Sequence, residues 1–428
     1  MIKKNLAMFL CVVTTGLFAQ QGTTSPYSFF GIGDIRNTNT VENQMMGGIA
    51  VYADSIHISL KNPASYASLG LELQSKEGLV VYTAGISDTE YTYRTNTAEE
   101  RSSVTNLDYL SLGFNINKRL GMGFGIMPFS SIGYSIAQET ISNDETITTS
   151  FTGEGGLSRV YYSVGYKILK DVSIGATVNY NFGNIDREIL RGVAGVQFGS
   201  FDRKSARING VDFNYAINYA PTIKKDYQLH TSFRINTQAN LVSKNKRRVG
   251  SFSTTSGVVI EGLEVDVAAQ NLENTTIKIP TITTIGLGYG KKATWFLGAE
   301  YSFQDLGAFE NEFLGVANVS YSNASSFAFG GFYTPDATSF SSYFKRVTYR
   351  AGLRSENSGM MVDDVAINNF GITFGLGLPL GRSLSNLNLG FELGKRGTTR
   401  ADLVEESYFK INIGLSLNDR WFQKRKIN

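Results

Sequence analysis

The sequence predicts an all-β protein, a transmembrane antiparallel β-barrel of about 14 strands with an N-terminal plug (hatch) inside its lumen. Three observations predict it: an apolar leader, long runs in which apolar and polar residues alternate, and connections that are alternately short and long. Within a membrane, a closed barrel is the strand architecture that satisfies every backbone hydrogen bond. The predicted location is therefore the outer membrane of a bacterial cell.

A secretory signal peptide is predicted for residues 1–19. Two lysines precede an apolar run from about Leu6 to Phe18, and Ala19 supplies the small residue before a cleavage site. The run is too short for a stop-transfer helix, although a signal anchor stays open as an alternative. Cys11 is the one cysteine of the chain and lies in this run, so cleavage leaves no thiol for a disulfide or a metal site.

The composition suits a strand-rich membrane protein. Hydrophobic residues make up 42% of the chain, with 45 Gly, 28 Phe and 22 Tyr but 7 Pro. The mean hydropathy of −0.11 resembles that of soluble proteins, yet a barrel has the same average because every second strand residue faces the lumen. The formal net charge of +3 gives no argument for a nucleic-acid partner.

Period-2 alternation recurs from about residue 77 to residue 418 and predicts the barrel strands. In one of them the apolar face carries Val211, Phe213, Tyr215, Ile217 and Tyr219. The residues between them are Asp212, Asn214, Ala216 and Asn218. A large soluble sandwich or propeller would also alternate, but the chain has no visible blade-length repeat.

The connections between these segments alternate between short and long. Short ones are predicted near Lys118-Arg119, Leu169 to Asp171, Pro221 to Asp226, Gly290 to Ala293, Pro335 to Ser342 and Pro379 to Ser385. Longer ones are predicted near 96–105, 139–157, 184–205, 243–275, 305–318, 355–365 and 396–406. This rhythm is typical of short periplasmic turns and longer outer loops.

The N-terminal part has a different residue pattern from the rest of the chain. This difference predicts a plug over residues 20–72 and a barrel over residues 73–428. The first segment is too apolar for a disordered tail, yet it has no barrel-length alternation. A hydrophobic pocket is hypothesised for its large apolar residues, with plain packing against the barrel wall as the alternative. The pocket candidates are Phe29, Phe30, Ile32, Met45 and Met46. A tight turn with a secondary gating role is predicted for Asn62, Pro63 and Ala64.

Several of these stretches together resemble the FadL family of outer-membrane transporters. The stretch from Val51 to Ala64 is similar to the hatch of that family, which an Asn-Pro-Ala motif closes ahead of a fourteen-stranded barrel. The stretches Ile279 to Tyr289, Tyr349 to Arg354, Gly371 to Gly381 and Asp419 to Phe422 resemble later strands, the last ones in the Bacteroidota branch. The resemblance implies passive transport of long-chain fatty acids or other hydrophobic compounds. The family's ligand-binding residues have no position-by-position match here.

The same sequence features leave two other functions open besides transport. A non-transporting accessory barrel in a larger outer-membrane complex, such as the outer-membrane protein insertion machine, is the alternative. Its distinguishing feature would be an apolar patch beyond what lipid contact needs. His230 and Ser232 suggest lipid hydrolysis only weakly, because no acid is placed to orient the histidine. We predict no enzyme, no cofactor and no metal site; the adjacent Asp363 and Asp364 are expected to be solvated.

Overall fold

The computed structural model describes residues 22–36, 39–70, 78–316, 319–381 and 384–421. The predicted signal peptide lies outside these residues. Fourteen antiparallel strands close into a barrel, so the predicted fold class is confirmed. Each strand pairs with the next along the barrel, and the last strand pairs with the first from Gly78↔Trp421 to Arg94↔Glu405.

The barrel strands β1 to β6 are Gly78–Arg94, Glu99–Asn115, Leu120–Ser142, Glu145–Leu169, Val172–Val193 and Phe198–Tyr219. Two strands are interrupted: β7 consists of Tyr227–Asn236 and Ala239–Ser253, and β8 of Asn274–Ile279 and Ile282–Lys291. Strands β9 to β14 are Trp295–Asp305, Asn323–Tyr333, Thr348–Val362, Val365–Pro379, Asn386–Gly397 and Glu405–Trp421. Pro280 separates the two pieces of β8, since proline cannot donate to the ladder.

The remaining elements are short. Four short strands also belong to the sheet: Asp34–Ile35, Thr222–Lys224, Val259–Val265 and Val319–Tyr321. Two α-helical turns are Val41–Gln44 and Tyr343–Arg346, and the 3-10 helices are Pro26–Phe29, Pro63–Ser68, Leu306–Ala308 and Arg400–Asp402. Among the described residues, no helix has the length and apolar character needed to cross a membrane.

Lipid-facing and lumen-facing residues alternate along the strands as predicted. On β6, Val211 to Tyr219 contribute five exposed apolar side chains, whereas Asp212, Asn214 and Asn218 are buried in the lumen. Every second side chain points inward because successive Cβ atoms of a strand lie on opposite faces. The barrel is an outer-membrane protein whose polar interior meets the N-terminal segment.

The predicted short turns separate neighbouring strands at one end of the barrel, the periplasmic end by the usual orientation. Several predicted long loops are instead extensions of the strands. Asn143 and Asp144, with φ of 51° and 62°, join β3 directly to β4, and Asp363 and Asp364, with φ of 47° and 62°, join β11 to β12. Two consecutive residues with positive φ form the tight turn whose twist matches a hairpin, which replaces a loop.

Candidate functional site

The 3-10 helix Pro63–Ser68 rests on lumen-facing glycines of three neighbouring strands. A Cβ atom added at Gly175 would lie 2.2 Å from the carbonyl carbon of Pro63, far inside van der Waals contact. Such close approach between two backbones requires glycine. The glycines of this platform are Gly121 on β3, Gly165 on β4 and Gly175 on β5. The helix is therefore seated against β3, β4 and β5 without an intervening side chain.

A second glycine platform receives the segment that follows the helix Val41–Gln44. A Cβ at Gly330 of β10 would lie 2.4 Å from the carbonyl oxygen of Met46, and one at Gly352 of β11 would lie 2.2 Å from the amide nitrogen of Gly47. The Gly47 amide also donates a hydrogen bond to Oγ1 of Thr373 at 3.0 Å. The N-terminal segment thus contacts opposite parts of the barrel wall.

Asn62 links this segment to itself and to the barrel. Its side chain is fully buried, and Nδ2 donates hydrogen bonds to the carbonyl oxygen of Ala50 and to Oδ1 of Asn218, each at 3.0 Å. The carbonyl oxygen of Asn62 accepts from the amide of Ser65 at 3.1 Å, while Pro63 occupies the first turn of the 3-10 helix. The turn at Asn62, Pro63 and Ala64 is therefore a buried anchor, and its gating role stays a prediction.

The five residues of the hypothesised pocket lie in four different packing clusters. Phe29 and Ile32 pack together in the largest cluster, with Ile132 and Leu157. Phe30 packs near the outer end, beside Tyr27. Met45 lies beside Val41 and Tyr66, and Met46 lies beside Ile49 and Phe296. Phe29 contacts Ile32 within its cluster and Phe30 edge-to-face, with ring centroids 5.2 Å apart, whereas Met45 and Met46 lie in separate clusters. A pocket shared by all five therefore stays a prediction.

A buried ion pair supports the N-terminal segment from the wall. Arg234 of β7 and Glu300 of β9 form a salt bridge, and both side chains are about 95% buried (5% and 6% exposed). The second carboxylate oxygen of Glu300 accepts a hydrogen bond from the amide of Ala50 at 2.8 Å. Burial and the nearby positive charge of Arg234 lower the pKa of Lys61 to about 8. Glu300, held by Arg234, thus provides the hydrogen-bond acceptor that water would otherwise supply to the buried amide of Ala50.

A second charged cluster lies around His57. Its Nδ1 is 2.7 Å from Oδ2 of Asp54, and its Nε2 is 3.6 Å from Oε1 of Glu42. Glu42 also accepts a hydrogen bond from Nδ2 of Asn388 on β13 at 2.8 Å. Burial alone would lower the pKa of His57, but Asp54 and Glu42 outweigh it and raise that pKa. The imidazole of His57 and the carboxylate of Asp54 therefore favour their ionised forms.

The barrel wall has a gap between β2 and β3. The two strands pair only from Leu110↔Ile126 to Asn115↔Gly121, at the periplasmic end. Further out, the register of β3 shifts at Pro128, and the residues from Phe129 to Tyr134 are buried on both faces. A strand buried on both faces has left the lipid-facing wall, so β3 bends into the lumen above its contact with β2.

The N-terminal segment fills this gap. Its short strand Asp34–Ile35 pairs antiparallel with Ser131 and Ser130 of β3, and the amide of Arg36 donates to the carbonyl oxygen of Phe129 at 3.0 Å. Nη1 of Arg36 donates to the carbonyl oxygen of Gly22 at 3.1 Å, and Nη2 lies 3.6 Å from Oδ1 of Asp108 on β2. Arg36 thus links β3, through its backbone amide, to β2, through its guanidinium.

A cavity of about 160 Å³ lies where the N-terminal segment meets the outer loops. Its lining includes Phe30, Gly31, Phe309, Val319 and Tyr321. Pockets that enclose drug-sized ligands have volumes of roughly 300–1,000 Å³. The cavity beside Phe30 is therefore too small to enclose a long-chain fatty acid.

An apolar patch lies on the paired tips of β6, β7 and the strand Val259–Val265. Ser253 at the end of β7 pairs with Phe198, and Phe252 beside it pairs with Val259. The exposed members of this outer patch are Val196, Phe198, Val258, Val259, Ile260 and Leu263, each 44–63% exposed. Phe198 is 13 residues beyond Val211, the last apolar lipid-facing residue of β6. At ~3.3 Å per residue and a ~40° tilt, Phe198 lies roughly 30 Å beyond the lipid-facing band. Leu263, opposite Val249 and therefore level with Asp202, lies roughly 20 Å beyond it.

His230 and Ser232 face the lumen together with Arg234, and each of the three is 4% exposed. The imidazole packs against Tyr52 and Phe296, with ring centroids 5.0 Å and 5.3 Å away. Its Nδ1 has no hydrogen-bond partner among the described residues. No acid orients the ring there. Over the same described ranges, no group of three potential metal-binding side chains occurs.

A family model described as BamG matches the chain over residues 1–428. The chain belongs to the BamG family. No curated protein matches this BamG-family chain. Because this match covers residues 1–428, family membership does not depend on the barrel fold alone.

Solved structures with the same fold are outer-membrane channels. The Pseudomonas putida toluene transporter TodX has a TM-score of 0.59 and 15% identity, covering 90% of this chain and 99% of that one. The Ralstonia pickettii toluene transporter TbuX has a TM-score of 0.55 and 12% identity, covering 88% and 97%. A Pseudomonas aeruginosa FadL homologue has a TM-score of 0.53 and 12% identity, covering 91% and 100%. The BamG-family chain therefore has the FadL-like fold that the resemblance implied.

Sequence reasoning missed three parts of the site in this BamG-family barrel: the glycine platforms, the wall gap and the role of Arg36. The glycine signal was available, because Gly121, Gly165 and Gly175 all occupy the lumen phase of their strands. Lumen-facing glycine in a strand marks a place where another backbone approaches closely. The partner of each glycine is separated from it by 50 residues or more, and no local pattern reports such a contact.

Proposed function

We propose that the protein is a non-transporting accessory barrel of a larger outer-membrane complex, such as the outer-membrane protein insertion machine. The observation that carries this proposal is the outer patch. Ile260 and Leu263 are 57% and 63% exposed at a height where no acyl chain can cover them. Exposed apolar surface of this kind is typical of protein–protein contact sites. The occupant we infer is a protein subunit that overhangs the barrel from outside the cell.

The contacts between the N-terminal segment and the barrel wall support the same proposal. The N-terminal segment contacts glycine backbone on β3, β4 and β5 and again on β10 and β11, so its withdrawal would expose two large concave surfaces. Buried polar groups such as Asn62 and Glu300 would lose their partners at the same time. Leaving buried polar groups unpaired costs about 1–3 kcal/mol each. A seal of this type suits a structural subunit better than a frequently opened channel.

Family membership supports it as well. The channel-like fold occurs here in a chain whose whole length matches the separate BamG family. Identities of 12–15% to the toluene transporters carry information about fold and none about cargo. The Bacteroidota origin that the sequence resemblance implied remains part of this proposal, since larger outer-membrane machines of that group contain FadL-like barrels.

The test is purification of tagged protein from its own outer membranes in mild detergent, followed by native mass measurement. The variant carries Ile260→Glu and Leu263→Glu in the outer patch. Its control carries Ile141→Glu at the tip of the β3–β4 hairpin, where the side chain is 77% exposed. We expect wild type and control to purify in fixed stoichiometry with an insertase or another large barrel. The patch variant should insert normally but purify alone.

A second candidate is passive transport of long-chain fatty acids or other hydrophobic compounds. The wall gap between β2 and β3 favours it, because molecules could leave sideways there if the strand Asp34–Ile35 moved away from Ser131. The same purification separates the two candidates. If the protein runs alone and carries a defined hydrophobic ligand, transport replaces the accessory role. We propose no enzymatic activity, since His230 lacks an orienting acid among its described contacts.

A further inference from the structure

Two cations stand directly opposite each other on the outer face of the barrel. Arg207 of β6 pairs with Lys244 of β7 in the ladder, and both side chains are exposed. Directly opposed residues have Cβ atoms about 4.5–5.5 Å apart, and like charges in that position are destabilising. Among the described residues neither side chain forms an ion pair or a hydrogen bond. The pair is left without an anion from the protein itself.

Residues that lie directly opposite one another on neighbouring strands form a row across the barrel wall. The row from Asn184 to Asn274, which contains this pair, has no acidic member. Asn184 of β5 is opposite Arg207, and Asn274 of β8 is opposite Lys244, so two amides flank the two cations. Rows further out are different. Arg203 forms a salt bridge with Glu188, and Arg248 is paired in the ladder with Glu264. The neutral flanks provide hydrogen-bond donors without repelling an anion. The row is thus complementary to a phosphate group.

The height of the row coincides with the outer edge of the lipid bilayer. Arg207 is 12 residues above Tyr219, the last lipid-facing residue of β6 at the periplasmic end. That separation corresponds to roughly 30 Å along the barrel axis, against an apolar band about 25 Å tall. One row below, Phe182 and Val242 are exposed and apolar on the same face, and Val211 follows them. The cations therefore cap an apolar wall that contacts acyl chains.

We propose that Arg207, Lys244, Asn184 and Asn274 form a binding site for a phosphorylated glycolipid of the outer leaflet, of the lipid A type. Arginine and lysine contact the phosphate, and the acyl chains lie against Phe182 and Val242 below. The apolar wall immediately beneath the cations favours a lipid over free phosphate, which would not use it. The site is independent of the accessory role proposed above, because it lies at the membrane edge and not on the outer patch.

The test compares lipid A binding by wild-type barrel and by the double variant Arg207→Gln, Lys244→Gln in detergent micelles. The control is Lys224→Gln, Lys225→Gln, which removes two charges from a periplasmic turn. Native mass spectrometry measures retention of bisphosphorylated lipid A, dephosphorylated lipid A and inorganic phosphate. We expect the double variant to bind bisphosphorylated lipid A at least about tenfold more weakly, with the control unchanged. Wild type should bind dephosphorylated lipid A as weakly as the double variant binds bisphosphorylated lipid A.

The melting temperature provides a second test, in which the difference between the double variant and wild type changes sign when lipid A is added. Without lipid A, removal of the opposed cations should raise the melting temperature of the barrel, because a repulsion disappears. With lipid A, wild type should gain more stability than the variant. Equal binding of lipid A by wild type and variant overturns the proposal. Competition by inorganic phosphate at the same concentration also overturns it and assigns the row to free phosphate. Loss of a co-purifying protein with lipid A binding unchanged assigns the row to an acidic protein partner.

Discussion

Nδ2 of Asn62 donates a hydrogen bond to Oδ1 of Asn218, 3.0 Å away, and joins the N-terminal segment to strand β6. The two residues are 156 positions apart, and both are buried. The same Nδ2 group also donates to the carbonyl oxygen of Ala50, so one amide connects three parts of the chain. This amide is a natural first target for loosening the segment without disturbing the barrel wall.

Asn62→Ala should destabilise the seating of the N-terminal segment. The substitution leaves Oδ1 of Asn218 and the carbonyl oxygen of Ala50 without their buried donor, at a cost of about 2 kcal/mol. Limited proteolysis of the purified barrel should cut the segment faster, while heat-modifiable migration of the barrel is kept. Asn240→Ala, at an exposed position, is the control. Equal cleavage rates in the two variants would show that the Asn62 amide does not anchor the segment.

Gly175→Ala should displace the 3-10 helix Pro63–Ser68. The added methyl would lie 2.2 Å from the carbonyl carbon of Pro63, and backbone there cannot turn aside as a side chain can. Overpacking of this kind costs about 1–3 kcal/mol, visible as a lower melting temperature. Gly192→Ala on the same strand is the matched control, because its nearest neighbour is Cγ2 of Thr254 at 3.5 Å. A melting temperature equal to that of the control would contradict the close backbone contact.

The His57 cluster should make stability depend on pH. The carboxylates of Asp54 and Glu42 raise the pKa of His57 against the effect of burial, above its ordinary 6.5. A raised pKa in the folded state adds stability that is complete below the unfolded value and is lost as pH rises through the folded value. The difference in melting temperature between wild type and His57→Gln should therefore be largest near pH 6 and shrink towards pH 9.

A substitution of Asp54 provides the control for this prediction. In an Asp54→Asn background, the carboxylate nearest the imidazole is neutral, so the pH dependence of the His57→Gln effect should become smaller. Asp54 itself has a lowered pKa, because His57 outweighs the effect of burial. Its contribution is therefore present above the ordinary value of 3.8 and is lost as pH falls through its folded pKa. An unchanged pH profile in the Asp54→Asn background would remove this pair as the cause.

Arg36→Ala should weaken the closure of the wall gap. The guanidinium contacts both Asp108 on β2 and the carbonyl oxygen of Gly22, and the Arg36 and Asp108 side chains are 14% and 10% exposed. Entry of a fluorescent fatty acid into proteoliposomes should rise above the wild-type rate. Arg94→Ala is the control, since Arg94 is 58% exposed and pairs with Glu99 at the outer tip. If the variant and the control admit the probe equally slowly, other contacts keep the gap closed.

Much of the fold could be predicted because its signals are local. Alternation from Val211 to Tyr219 reports which side chains face lipid, since neighbouring Cβ atoms of any strand point to opposite faces. The short turns near Lys118 and Asp171 could be placed for the same reason, as breaks in that alternation. The outer hairpin turns were missed, because Asn143-Asp144 and Asp363-Asp364 resemble ordinary loop residues until their positive φ angles are known.

The candidate site was predicted less well, because its contacts join distant parts of the chain. The apolar character of Phe29 and Met45 predicts burial but not the neighbours that bury them, and the structure places the two in separate clusters. The opposition of Arg207 and Lys244 depends on the register between β6 and β7. A shift of one residue in that register would remove it, and no spacing in the sequence specifies the register.

The sequence by itself therefore determined a closed outer-membrane barrel with an apolar N-terminal segment, since a period-2 pattern and apolar composition are properties of consecutive residues. Only the tertiary structure decided which parts of the barrel wall the segment contacts, where β3 leaves the wall, and which outer residues form the apolar patch or the cation pair. Those features follow from strand register and from backbone contact at Gly175 and its neighbours, which bring together residues far apart in the chain.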